Sequence, residues 1–383
     1  MLKIPVRIIE EIHNARQAAD LYRHLQAAIE LEHSTIPLYL TALYSIQPNS
    51  NQEVAKILFS VVREEMLHMV IAANVLNAIG GTPQVNKPDF IPTYPGHLPL
   101  VQPDLIVGLA PLSIDQITKT FMQIETSIDP EDYPAKPVPF ALRATEEYQT
   151  IGDFYQAIIE KITDLHHQGA LSIQRRNQVV DEKWFPRTEL FEITDLDTAT
   201  SALNLIIVQG EGTTTVQKTR VCSLNGKDRS QATQTFSPFD PQNQPAHYYR
   251  FAQIIKGGRL VPDPENPGGF VYDLNQPINL DSEKIYPLVE NSKAEMYPEG
   301  SRARRLVDQF NYSYTSLLNG LQKTFDGYPD YLNTTIGVMF ELKLQAEEMA
   351  ELKIKTGTDA EKRVAPSFEY QLSRAEKAIS SLI

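Results

Sequence analysis

Glu65-Met66-Leu67-His68 sets a carboxylate and an imidazole three residues apart, the spacing with which one helix offers both side chains to the same metal ion. Two other Glu-x-x-His pairs occur, Glu10 with His13 and Glu30 with His33, so spacing alone selects nothing. The helical face does. Advancing about 100° per residue, Glu65 falls at the centre of Leu58, Val61, Met69, Ala72 and Leu76, with His68 on the adjacent edge. Glu32 lies among Leu21, Leu25, Ile36, Tyr39 and Leu43, while Glu30 points to the opposite side. A carboxylate inside an apolar stripe is costly unless something compensates its charge. Glu32, Glu65 and His68 are therefore expected to face a metal ion, Glu30 to face solvent, and Glu64 to be an ordinary surface charge. The bland alternative is a pair of buried Glu side chains satisfied by Arg or backbone groups. Tyr39, seven residues after Glu32 on the same face, is the candidate catalytic side chain, placed to hydrogen-bond a ligand unless it is plain core.

A bundle site for two ions needs a second half, one more Glu and another Glu/His pair. Glu147 is expected there, on a helical face with Ile151, Ile158, Ile162 and Leu165. Glu125 competes for the same role from an apolar face with Ile114, Ile117, Phe121 and Ile128. No contiguous Glu-x-x-His follows. The nearest substitute is split: Glu211 ends one apolar helix and His247 opens another. If the polar residues between them loop out, Glu211 and His247 meet at one ion, facing Glu65. His166-His167 reads as a solvated helix end. Carboxylates with two imidazoles suit iron or manganese, so two transition-metal ions, iron first, are the expected cofactors.

Helices must position these side chains. The periodicity predicts a helix over 16–45, a turn at Pro48-Asn49-Ser50-Asn51, and an antiparallel helix over 52–79 stopped by Gly80-Gly81. Pro37, inside the first helix, is expected to kink it beside the ions. Residues 83–111 are too rich in proline for helix or central strand and read as an ordered wrap. Ser113 can cap a short helix to about residue 128. Helices over 141–167 and 197–210 complete four, residues 212–243 form an excursion with a hairpin near Asn225-Gly226, and helix resumes over 247–255. After an irregular stretch from 262 to 298, helices over 301–325 and 331–355 close the chain. The fold class is mainly α: a four-helix bundle over residues 1–295 with loop insertions at 83–111 and 212–243, and a C-terminal helical hairpin packed on it within 296–383.

The remaining composition excludes more than it assigns. A net charge of −13 over 383 residues disfavours nucleic acid. One cysteine, Cys222, excludes an intrachain disulfide and a thiolate zinc site. No signal-like N-terminus and no apolar run near ~20 residues occurs. A cytoplasmic protein with a small-molecule substrate, no membrane partner and room for a homo-oligomer is expected.

Leu31-Glu32-His33-x-x-Ile36-Pro37-x-Tyr39-Leu40, Glu64-Glu65-Met66-Leu67-His68 and Asn74-Val75-Leu76-Asn77-x-Ile79-Gly80-Gly81-x-Pro83 together resemble the ferritin-like domain of iminophenyl-pyruvate dimer synthases, the imine-coupling enzymes of violacein and rebeccamycin pathways. Tyr94-Pro95, Ile124-Glu125, Gln209-Gly210-Glu211-Gly212, His247-Tyr248-x-Arg250-Phe251 and Pro366-Ser367-Phe368-Glu369 extend the likeness. The resemblance implies a ferritin-like bundle, non-haem metal and oxidative coupling of imines derived from aromatic amino acids. Those pathway enzymes are considerably larger than this chain. Three functions remain: a dimetal oxidase of a small amino-acid-derived substrate, a metal-binding stress or storage protein, and a metal-free scaffold. The opposed faces of the first helix make a direct test. Glu32→Gln is expected to lower the metal content of the purified protein, and Glu30→Gln to leave it unchanged, as read by elemental analysis.

Overall fold

The structure, a computed structural model, describes residues 3–101, 105–126, 148–221, 229–265, 269–355 and 361–371. Strand β1 (Ile4–Pro5) leads into α1 (Val6–His13), and α2 (Ala18–Tyr44) follows after the Asp20 carboxylate accepts the Arg16 N–H at 2.8 Å. Helix α2 continues through Pro37. Asn49 and Asn51 turn the chain with positive φ, a region Asn tolerates better than most residues, and α3 (Gln52–Ala78) returns along α2. Gly80 ends it at φ +98°.

The described residues between 83 and 111 include a 3₁₀ turn at Pro88–Phe90 and an isolated bridge between Gly96 and Val107. The Tyr94 hydroxyl pins the wrap to α2 by donating to the Ser34 carbonyl at 2.6 Å. Ser113 then caps α4 (Ile114–Gln116), which passes through a π-helical turn at Ile117–Phe121 into α5 (Met122–Glu125).

Strand β2 (Tyr148–Gln149) pairs antiparallel with β1, and α6 (Ile151–His167) begins at a Thr150/Asp153 capping box. That corrects the expectation of a helix from 141. Glu147, expected on that helix as a ligand, lies outside the described residues. Helix α7 (Leu196–Glu211) is capped by Asp195. The expected excursion is the antiparallel pair β3 (Thr213–Val221) and β4 (Arg229–Ser237); its Asn225-Gly226 tip lies outside the described residues. Helix α8 (His247–Lys256) resumes beyond it.

Helices α2, α3, α6 and α7 close a four-helix square: α2 packs on α3, α6 on α7, α3 on α7 and α2 on α6. Helix α8 is a fifth member lying against α3, α5 and α7. The stretch expected to be irregular instead holds a second hairpin, β5 (Gly258–Pro262) with β6 (Phe270–Pro277). Helices α9 (Arg302–Phe325) and α10 (Tyr331–Glu351) pack on each other, α9 touching α3 and α10 touching α2. Residues 353–355 leave the helix as strand β7 (Lys353–Lys355), paired with β8 (Glu361–Arg363). One apolar cluster runs from Ile4 to Phe368 and joins hairpin and bundle. Among the described residues, no helix is long and apolar enough to cross a membrane.

Candidate metal centre

Helices α2 and α3 turn Glu32, Glu65 and His68 to the same point. All three are buried, and their ligand atoms lie within 4.8 Å of one another. His68 Nε2 donates to Gln209 Oε1 of α7 at 2.9 Å. With the ring proton held there, the Nδ1 lone pair is left for the centre, and Nδ1 lies 3.4 Å from Glu32 Oε2. Glu32 Oε1 accepts from the Tyr155 hydroxyl at 2.5 Å. Glu65 Oε2 accepts from Thr35 Oγ1 at 2.8 Å.

A second group combines Glu65 with Glu125 and His247, again within 4.8 Å. His247 Nδ1 stands 3.0 Å from Glu65 Oε1 and 3.4 Å from Glu125 Oε2. The remaining oxygen of Glu125 accepts from the Tyr39 hydroxyl. Glu125 therefore stands in the place expected of Glu147. Its phase differs from a plain α-helical wheel because the π turn inserts a residue ahead of α5.

Glu211 lines the same cavity as Glu32, Glu65, His68, Glu125 and His247, yet belongs to neither group. Its carboxylate accepts the Gly152 N–H at 2.7 Å, at the start of α6, where the helix dipole favours an anion. A Cβ on Gly152 would come within 2.3 Å of that carboxylate. The excursion between Glu211 and His247 does bring the latter to the centre, but the carboxylates beside it are Glu64, Glu65 and Glu125 rather than Glu211.

Glu64, expected at the surface, is buried. Helix α8 covers that flank of α3. Glu64 Oε2 lies 3.1 Å from His247 Nε2, and Arg250 donates to both its oxygens at 3.0 and 2.9 Å. A signal existed: His247 and Arg250 sit one turn apart on a single helix and need an anion opposite. His33, set aside as a ligand, is buried against Tyr314, 2.7 Å from its hydroxyl.

Protons must balance these charges when no metal does. Burial works against every ion here, and neighbours then decide. His68 is raised because Glu32 outweighs burial, and His247 is raised well above its usual value because Glu125, then Glu64 and Glu65, do the same. Burial would raise Glu64, but His247 and Arg250 bring it down to about 2. Glu65 is the surplus: burial and then the Glu125 charge push it up to about 7. Glu64 is matched by Arg250 and by Arg63 at 3.7 Å, the latter shared with Glu189, which leaves three carboxylates (Glu32, Glu65, Glu125) facing two imidazoles (His68, His247). Metal cations fit this arrangement. His247 Nδ1 supports that fit: it is buried beside two carboxylate oxygens, yet its ring N–H direction makes a hydrogen bond with neither. A buried ring nitrogen without a hydrogen-bond partner beside two carboxylates is what a metal ion would satisfy.

The ferritin-like family model matches residues 25–256, more than half of the chain. The chain belongs to the ferritin-like family. A solved structure described as a ferritin-like protein from Caulobacter vibrioides is similar, with 21% identity and a TM-score of 0.54 over 92% of this chain and 97% of that one. At that identity the likeness concerns the fold. No curated protein matches.

Two outcomes follow for this ferritin-like protein. A raised carboxyl is harmless below its unfolded value of 4.5; stability then falls as pH rises to about 7 and stays lowered above it. Glu65→Gln is therefore expected to raise the melting temperature of the metal-free protein at pH above 7, and to remove the further gain that wild type shows on adding metal. Glu64→Gln, which loosens the hold on His247 Nε2, is expected to weaken metal affinity by about 10–100-fold, read by competitive titration with a chromogenic chelator.

Proposed function

We propose that this ferritin-like protein binds two transition-metal ions, iron or manganese, between Glu32, Glu65, His68, Glu125 and His247, and uses them to oxidise a small amino-acid-derived molecule. The observation that carries this reading is Glu65, common to both ligand groups. One carboxylate has two oxygens and can serve two ions a few ångströms apart. Such a pair supplies oxidation by dioxygen or peroxide when bound.

The chain's own residues do the positioning. Tyr155 and Tyr39 each occupy an oxygen of Glu32 and Glu125 respectively, which leaves a defined oxygen of each for an ion; Thr35 donates to one lone pair of Glu65 Oε2 and orients that carboxylate, with a lone pair on each of its oxygens still open. Both phenols are raised well above their usual value, by burial first and then by Glu32 at Tyr155 and Glu125 at Tyr39. They therefore stay protonated and donate. Tyr39, the candidate catalytic residue, acts in this reading through Glu125. The cavity wall is completed by Ile124, Ile151, Ile206 and Ile207, which keep bulk water away from the ligands.

The finer reading, joining of two imines from aromatic amino acids, is supported by the motif resemblance. A second reading, metal chemistry without organic turnover, is favoured by size. The cavity holds about 40 Å³, against the roughly 10–15 Å³ that one water needs. It has room for small species and not for an aromatic body, so a larger substrate reacts from its mouth.

Protein purified without chelator is expected to carry two iron or manganese ions per chain, and Glu65→Ala with His68→Ala to lose most of them. Full metal content in that double variant would overturn the centre. Oxygen consumption by the loaded protein then separates the readings. Uptake that requires an aromatic 2-imino acid supports the oxidase, and uptake driven by ferrous iron alone supports the second.

A further inference from the structure

Glu65 divides the centre into two halves that match group for group. On one side stand Glu32 and His68, on the other Glu125 and His247. A phenol backs each outer carboxylate, Tyr155 on Glu32 and Tyr39 on Glu125. The two imidazoles lie nearly parallel, ring centroids 5.6 Å apart with 22° between their planes, and each turns Nδ1 toward the carboxylates. The halves part at Nε2. His68 meets the amide oxygen of Gln209 there, at 2.9 Å. His247 meets the Glu64 carboxylate, at 3.1 Å. Gln209 and Glu64 are both buried, so salt and bulk water screen little of the difference between them.

An imidazole whose far nitrogen is held by a carboxylate is a stronger donor at its near nitrogen than one held by a neutral amide. The negative charge draws on the ring proton and leaves more electron density at Nδ1. Arg250 closes on both oxygens of Glu64 at 3.0 and 2.9 Å, and Arg63 stands 3.7 Å from one of them. These guanidinium groups offset the cost of burying the charge, and they also draw on the same oxygens. The gain at His247 therefore falls at the low end of the range for such outer partners, about tenfold. We propose that the two ions are held unequally: the ion between Glu65, Glu125 and His247 binds first, and the ion between Glu32, Glu65 and His68 is the exchangeable one, with Glu64 and Gln209 as the positioning residues that set this order. At limiting metal the protein then carries a single ion, on the α8 side, and the His68 half fills only when metal is plentiful. The inference rests on the two-ion reading above.

Manganese(II) titrated under argon into the chelator-treated full chain tests it, with free ion counted by electron paramagnetic resonance. Wild type is expected to fill in two steps of one ion each, their dissociation constants about tenfold or more apart. His247→Ala is expected to remove the tighter step, and His68→Ala the weaker one. Gln209→Glu is expected to tighten the weaker step and Glu64→Gln to weaken the tighter one, so that either change narrows the gap from its own side. Circular dichroism melting of each metal-free variant checks that it folds. Equal steps in wild type, a tighter step that survives His247→Ala, or both steps weakening together in Gln209→Glu and in Glu64→Gln would overturn the proposal. Equal steps would leave the two-ion reading intact, whereas no uptake at all would remove both.

Discussion

Three buried carboxylates, Glu32, Glu64 and Glu65, and the half-buried Glu125, gathered around two histidines and two arginines, are the constraint on which the rest of this structure depends. Uncompensated charge in an apolar interior is expensive, so each acid must meet a cation, a proton or a metal. Arg250 settles Glu64, and in the absence of metal the imidazoles of His68 and His247 take up protons for Glu32 and Glu125. Glu65 is left with no cation of its own and stands in both ligand groups. An arrangement that wants positive charge at one place is a poor way to stabilise a fold and a good way to hold ions.

The architecture serves that demand from several directions. Two long antiparallel helices deliver the first three candidate ligands, and α7 delivers Gln209 to fix one imidazole. The second group comes from shorter pieces. Helix α5 delivers Glu125 after a π turn, and α8 delivers His247 after a long hairpin. Pieces of ten residues or fewer do not hold helical form alone in water; packing of α8 on α3, α5 and α7 holds it here. That same packing buries Glu64 and Arg250, so closing the site and orienting His247 are one event.

Glu211 shows how a ligand spacing and a ligand position can part. It ends α7 where the split Glu/His pair requires it, and it lines the cavity. The amide of Gly152 holds its carboxylate at the start of α6, and only a residue without a Cβ leaves space for that approach.

Most of the first half of the centre was legible in the residues themselves. Glu32, Glu65 and His68 lie on helical stripes whose period is local, and a local period survives into the fold because backbone hydrogen bonding sets it. The same holds for the helix ends at Gly80, Ser113 and Ser301 and for the closing helical hairpin, apart from the strand at 353–355. Contacts between distant segments were not legible. Whether Glu64 faces water depends on α8, nearly two hundred residues away; where α6 begins depends on a cap at Thr150 and on the pairing of β2 with β1; and the placing of Glu125 beside His247 depends on a π turn. Periodicity reports which side of a helix is apolar. What comes to lie against that side is decided only when the chain closes, because burial and charge pairing act between segments that no spacing relates.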